Sequence, residues 1–491
     1  MNLHGLVVAV SLALAACGAA PATPLATKAE FDLVNRLTWG ATPADLREVR
    51  RVGAAAWVDA QLGPERPLPP SVQAQLDSLP LTDGPIGAKV IELDRIRFAA
   101  TRVTDPEQRK TLYAPYRDGW SALQKQAVSR SLIRDLASPD QLRQQLTWFW
   151  FNHFNIRGAA GTQAMLVGDY EETIRVRALG KFCDLVRATL KHPAMIVYLN
   201  NAANTVEKGN ENYARELMEL HTLGIGTGYT QGDVQTLARV LTGVGVDLKA
   251  WPPAPAPSNG LRDGLFVFDP TKHDGASKTL LGRKLRGKGF AEVEEATALL
   301  CRHPATAQRV ATRLAKYFVA DAPPPALVTK LAATFTATDG DIAAVMRALI
   351  AAPEFGASLG TLYKDPQHYV LSAARLVLDG RPPADVTHLA QSLGRLGQAR
   401  FARATPDGYP LESDNWNASG QLATRFQIAG RFGRGVPGLI ATGPEAIDLK
   451  PMQAAGIYAT LAPATREVLG ESRVAAEWTA LFLSSPEFMR R

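Results

Sequence analysis

Apolar residues return every three to four positions along most of this chain, the spacing that gathers them on one side of a helix. Local start signals agree with that period. Thr27-Lys28-Ala29-Glu30 and Thr42-Pro43-Ala44-Asp45 each offer a hydroxyl cap with an acid three residues on, and Pro43 takes the first helical position. Beyond Thr42, the residues Leu46, Val49, Val52 (or Ala54), Trp57 and Val58 form an apolar stripe, and a Pro-rich connector over 64–85 follows. From Ile91 to Arg239 the helical period runs almost without a strand signal. Within it, Trp148, Phe149, Trp150, Phe151 and Phe154 make residues 141–156 apolar all round, which predicts a buried central helix. After a Pro/Gly loop over 251–260, Leu265-Phe266-Val267-Phe268 and Lys278-Thr279-Leu280-Leu281 read as two strands paired in a short hairpin. Helices resume over 291–319, 327–335 and 342–349. The pattern predicts a mostly α-helical globular protein with at most a small β-hairpin near 265–282. It divides into a main helical domain over 27–360 and a C-terminal helical region over 361–491 packed on it.

The first 26 residues follow a different rule. Residues 6–16 are an eleven-residue apolar run, too short for a bilayer core that needs about 20 helical residues and suited to the central region of an export signal. It ends in Leu14-Ala15-Ala16-Cys17-Gly18, which resembles the lipobox of bacterial lipoproteins, with Cys17 the residue that is acylated. The n-region Met1-Asn2-Leu3-His4-Gly5 has no Lys or Arg, so ordinary cleavage near Ala26 is the alternative. Lipidation predicts a membrane anchor in the cell envelope, and Gly18 after the cysteine favours the outer membrane. The alternative predicts a periplasmic or secreted protein.

Composition changes this picture little. With 46% apolar and 21% charged residues the chain has ample material for a core and none of the character of a disordered one. The net charge of +7 comes from 54 basic against 47 acidic residues, spread without a basic block interleaved with aromatics, so no nucleic-acid partner is expected. Cys183 and Cys301 fall in helical stretches, lack metal-ligand spacing, and read as two buried free thiols, with a disulfide between them as the alternative.

The most distinctive segment is Asn210-Glu211-Asn212-Tyr213-Ala214-Arg215-Glu216-Leu217-Met218-Glu219-Leu220-His221-Thr222-Leu223-Gly224. As a helix it puts Tyr213, Leu217, Leu220 and Leu223 on one face, and Asn212, Arg215, Glu216 and Glu219 on another, with Gly224 as its C-terminal cap. It resembles the signature of the bacterial domain-of-unknown-function family DUF1800. Further pieces lie in that family's order: Asn35-Arg36-Leu37 with Trp39-Gly40, Phe149-Trp150 with Asn152-His153-Phe154, Gly228-Tyr229-Thr230-Gln231 with Asp233, and Leu241-Thr242-Gly243. Then come Phe268 and Pro270 before His273-Asp274, Lys278, Leu281-Gly282, Arg302-His303-Pro304-Ala305-Thr306-Ala307, and finally Gly408-Tyr409-Pro410 with Trp416. Two positions depart from the pattern: Phe151 stands where a histidine is usual, and Val244 where a tryptophan usually follows Leu-Thr-Gly. The resemblance covers about residues 30 to 490. It implies an exported helical protein, often encoded beside a secreted protein of alkaline-phosphatase-like fold, and no known chemistry.

The residues themselves offer candidates. Glu211, Glu216 and Glu219 around Arg215 suit acid–base work or a divalent cation, or equally an ion-paired helix face. His221 adjoins them and is followed by the turn Gly224-Ile225-Gly226-Thr227-Gly228. His153 sits among aromatics, and His273-Asp274 lies in a loop, where polar groups more often serve a site. His303-Pro304 reads as a helix start and Thr230 with Asp233 as a capping box. No His-Glu-x-x-His, Gly-x-Ser-x-Gly or Cys-x-x-Cys occurs, which argues against zinc-protease, α/β-hydrolase and thioredoxin-like chemistry. Two functions remain open: an extracytoplasmic enzyme acting on envelope or extracellular polymers through carboxylates and histidines, or a non-enzymatic partner or assembly factor for another secreted protein.

Overall fold

A computed structural model describes residues 27–441, 449 and 461–491. Among the described residues, twenty-two α-helices outweigh five short strands, so the protein is mostly α-helical as the apolar period predicts. The start signals act as read. Thr27, Thr42 and Thr230 each cap a helix and form complete capping boxes with Glu30, Asp45 and Asp233. His303 breaks the long helical stretch in two: its Nδ1 accepts from the Ala305 amide at 3.2 Å and starts the helix Pro304–Phe318. The Pro-rich connector is not featureless, since Pro70–Asp77 forms a helix with proline in its first turn, where a missing N–H costs nothing.

Two helices are buried along their whole length, Gln141–His153 and Pro366–Leu378. They lie on opposite sides of residue 360 in sequence and share one core, where Trp39 and Tyr317 pack against the His368 ring. Arg36 fastens the first helix to the rest: its fully buried guanidinium bonds the carbonyls of Phe318, Ser358 and Arg491. Buried charge of this kind persists only where acceptors surround it.

The strands correct one expectation. Phe266–Phe268 and Thr279–Leu280 are strands but do not pair with each other. Phe266–Phe268 is the middle of an antiparallel three-stranded sheet between Val244–Val246 and Leu261–Asp263, and Thr279–Leu280 pairs with Arg283–Lys284. Turn chemistry decides it. Gly264 (φ +55°) opens one two-residue hairpin loop with a single positive φ, and Leu281 (+48°) with Gly282 (+73°) forms another with two, the conformations that tight hairpins require. Each strand therefore takes the neighbour its own turn delivers.

A second correction concerns the thiols. Cys183, on the helix Phe182–Lys191, and Cys301, at the end of Phe290–Cys301, form a disulfide with Cα atoms 5.5 Å apart. Their spacing of 118 residues hid a contact that only helix packing creates. No described helix is long and apolar enough to cross a membrane, and Cys17 lies outside the described residues.

Candidate functional site

The signature segment begins as an α-helix, Asn212–Glu216, and widens into a π-turn over Leu217–His221. A π-turn disrupts the regular carbonyl ladder and is frequent at functional sites. Four carbonyls of this stretch find four different partners. Leu217 O accepts from the Thr222 hydroxyl at 2.6 Å, Met218 O from the Gly224 amide at 3.1 Å, Leu220 O from Arg309 Nε at 3.0 Å, and His221 O from His153 Nε2 at 3.0 Å. Gly224 then turns the chain with φ +101°, a conformation open to glycine. The π-turn thus fixes Arg309 and His153 against the signature.

Because a carbonyl only accepts, His153 must carry its proton on Nε2. Its Nδ1 lone pair is buried without a partner, as is Nε2 of His221. Burial holds His153 well below the ordinary imidazole range, and burial with the nearby Arg309 and Arg313 pushes His221 down to about 3. Both rings are therefore neutral at pH 7, 2% and 1% exposed, and their centroids stand 6.3 Å apart.

Arg215 settles the pairing of the acidic face. It bridges Glu211 at 3.1 Å and Glu219 at 3.2 Å and bonds Gln231 at 2.8 Å, while Gln231 donates to Glu211 at 2.7 Å. Asn212 turns away to the Leu199 carbonyl. Glu216 is left out of this arrangement. Half-buried, with Glu219 and Asp407 near it, its carboxyl is raised above the usual range, first by burial and then by Glu219.

Asp407 belongs to a cavity of about 800 Å³. Its walls are the turn after His221 (Leu223, Gly224, Thr227), one face of the helix Pro304–Phe318 and a loop running from Arg403 to Asn415. That loop is pinned from beneath by the end of the aromatic helix. Asn152 donates to Tyr409 O at 2.8 Å and accepts from Tyr409 N at 2.6 Å, and Asn155 bonds the carbonyls of Arg403 and Thr405. Gly408 makes this possible. It has φ +76°, and a Cβ there would meet the Asn152 carbonyl oxygen at 2.1 Å.

Charge in the cavity is unbalanced. Lys316 pairs with Glu412 at 2.7 Å and Arg403 with Asp407 at 3.2 Å. Arg309 has only the neutral Leu220 carbonyl, and Arg313 has no carboxylate partner among the described residues; its Nε and Nη2 are shut from solvent without an acceptor. Burial and the adjacent Arg309 lower the Arg313 guanidinium to about 10.

His273 and Asp274 stand elsewhere, in a buried network that is satisfied internally. His273 Nδ1 lies 2.9 Å from Thr242 O and its Nε2 3.3 Å from Glu292, Lys278 bonds Glu292 at 2.7 Å, and Asp274 pairs with Arg239 at 2.6 Å. None of these residues lines the cavity. None of His153, His221 and Glu216 lines the cavity either. The two histidines are buried behind the turn that forms one wall, and Glu216 is close enough to the lining residue Asp407 to be raised by it, after burial and Glu219. Glu211, Arg215 and Glu219 form an ion-paired cluster, and His273-Asp274 joins the small sheet region to the helices. Among the described residues no three His, Cys, Asp or Glu side chains gather as a metal group, so nothing there supports the divalent cation that the acidic face suggests.

Sequence reasoning passed over Arg309, Arg313, Arg403 and Asp407. A signal was present: Arg309, Thr312, Arg313 and Lys316 recur at i, i+3, i+4 and i+7, a cationic stripe on a single helix. Like charges four apart repel, by a few tenths of a kcal/mol when exposed, so such a stripe asks for an external anion.

Fold and site together define a helical protein with a cation-lined cavity walled by segments far apart in sequence. The chain belongs to the DUF1800 family, proteins of unknown function, whose sequence profile matches residues 32–490. No curated protein and no solved structure matches it.

Proposed function

We propose that this is an extracytoplasmic enzyme acting on an envelope or extracellular polymer at the cavity between the signature turn, the helix Pro304–Phe318 and the Arg403–Asn415 loop. The observation that carries the reading is convergence: the signature, the Asn152-His153 pair, the segment after His303 and the Gly408-Tyr409-Pro410 loop all meet around one cavity of about 800 Å³. A cavity of this size with perturbed titratable groups beside it is the ordinary setting of a small-molecule or polymer-unit site. Glu216 is the proton donor in this scheme. Its carboxyl has no ion-pair partner, is raised by burial and Glu219, and is raised further by Asp407, which lines the cavity that Glu216 itself stands behind. His153 and His221, buried and neutral, hold the π-turn and Arg309 in place rather than moving protons. The disulfide supports an oxidising compartment, as does the apolar run before Cys17.

The test is turnover. Wild type and Glu216→Gln are incubated with peptidoglycan sacculi and with purified exopolysaccharide, and released fragments are read by mass spectrometry. Wild type is expected to release fragments, and Glu216→Gln to be slower by about a hundredfold or more, the usual contribution of a positioned general acid. Full activity in Glu216→Gln would sink the assignment.

A further inference from the structure

Structural arginines here can leave a buried Nε unpartnered, as Arg36 and Arg425 do, but their terminal nitrogens find acceptors. Arg36 donates to the carbonyls of Phe318, Ser358 and Arg491, and Arg425 to those of Lys364 and Trp416. Arg313 differs. It lines the cavity, two of its nitrogens are buried without an acceptor, and no ion pair reaches it among the described residues. Arg309, four residues earlier on the same helix, also lines the cavity and has spent only Nε, on a neutral carbonyl. The carboxylates within reach of these charges are already engaged, Glu412 by Lys316 and Asp407 by Arg403. Two adjoining guanidiniums with no carboxylate of their own to pair with, one of them largely withdrawn from water, are costly unless an anion arrives from outside. Guanidinium is also the group whose fixed fork of donors fits carboxylate and related oxyanions.

The rest of the wall describes what surrounds that anion. Thr227, Gln308, Thr312 and Asn415 are neutral hydrogen-bonding side chains, and Leu411 and Pro410 supply apolar surface. Hydroxyls and ring faces suit such a lining. The volume exceeds what an inorganic ion fills and is ample for one or more sugar rings. We propose that Arg309 and Arg313 form an oxyanion subsite, and that the ligand of this cavity is an acidic polysaccharide whose carboxylate or sulfate group docks between them. The proposal rests on the reading of this cavity as the working site and names the chemical class of its substrate.

The experiment is isothermal titration of the mature chain, at low ionic strength, with trigalacturonate, a sulfated disaccharide, cellotriose and sodium sulfate. At least one acidic saccharide should bind, cellotriose at least about tenfold more weakly, and the acidic affinity should fall as salt is raised, since the charges facing the cavity are screened. Arg313→Met should weaken acidic binding about ten- to a hundredfold, the loss expected for charge-assisted hydrogen bonds. Should Arg313→Met melt far below wild type, Arg309→Gln, on a partly exposed residue, supplies the same comparison. The uronate and sulfate arms decide which oxyanion is meant. Equal affinity for cellotriose, binding of sodium sulfate alone, no saccharide binding, or undiminished affinity in a folded Arg309 or Arg313 variant overturns the proposal. The enzyme reading fails separately: acidic binding without turnover leaves the subsite standing, and turnover of a neutral polymer by Arg313→Met leaves the enzyme without it.

Discussion

Glu216 and Glu219 stand three residues apart, yet the π-turn gives them different surroundings. Glu219 shares Arg215 with Glu211 in pairs that are one-fifth to over one-third exposed, where an ion pair contributes about 1 kcal/mol at most. Glu216 has no such partner, and burial followed by Glu219 raises its carboxyl above the usual range. Glu216→Gln should therefore leave the urea midpoint close to wild type, and Glu219→Gln should lower stability by about 0.5–1 kcal/mol. A loss of several kcal/mol in Glu216→Gln would mean that the carboxylate is a structural member of a pair and not a free acid. The buried histidines make a pH prediction at the same scale. His221 has a folded value of about 3 against about 6.5 unfolded. Between those values the unfolded chain binds the proton and the folded chain does not, so stability is present above pH 6.5 and is lost as pH falls toward 3. At pH 5 the loss is about 2 kcal/mol for this imidazole, with His153 adding to it in the same direction. Denaturant melts at pH 7.5 and pH 5 should show it, and His221→Gln should flatten the slope; an unchanged slope in that variant refutes the assignment to His221.

Helices with caps were legible element by element because their signals are local: Thr42, Pro43 and Asp45 interact within one turn, and the sequence displays all three together. The signature helix was legible only up to Glu216. Arg215 keeps both of its four-residue neighbours, Glu211 and Glu219, so the adjoining Glu216 is left without an ion-pair partner, and the π-turn that follows at Leu217–His221 is the part the 3–4 period does not show. Strand pairing failed for a related reason, since the positive φ of Leu281 is set by the hairpin and is not a preference of leucine. The cavity was illegible because the aromatic helix holds its walls through contacts 68 to 257 residues apart in sequence. Its loop depends on one glycine, and that yields a prediction. Gly408→Ala adds a Cβ facing a backbone oxygen at 2.1 Å, at φ +76°, where no flexible side chain can give way. We expect a loss of about 2 kcal/mol or more in thermal stability, as for other residues forced into strained backbone. Because Asn152 would lose its hold on Tyr409, affinity for any cavity ligand should fall as well. Normal stability in Gly408→Ala would show that the loop relaxes freely and that its pinning by Asn152 is unimportant.

The molecule as a whole is held across long stretches of sequence: Arg36 grips Arg491, and the two fully buried helices meet through His368 and its aromatic neighbours. Its location has two independent tests. Export with lipidation predicts that fatty-acid label enters wild type and fails to enter Cys17→Ser; equal labelling of both would refute the anchor. The disulfide makes the second and physically stronger prediction. Cys183 and Cys301 close a loop of 118 residues, which removes freedom from the unfolded chain more than from the folded one. On the chain-entropy account a loop of that length stabilises by about 5 kcal/mol, an upper figure because residual structure in the unfolded chain reduces it. The joined helices, Phe182–Lys191 and Phe290–Cys301, also bury Leu185, Val293 and Leu300, so the fold does not depend on the bond for its core. Reduction should accordingly lower the melting temperature while leaving the helical circular dichroism intact at 25 °C. Calorimetric melts with and without a phosphine reductant, beside the Cys183→Ser/Cys301→Ser double variant, measure the effect. The double variant should match reduced wild type and ignore the reductant. Identical melting of oxidised and reduced wild type would show that the bond contributes nothing to stability, and would remove the physical reason for expecting this chain to need an oxidising compartment.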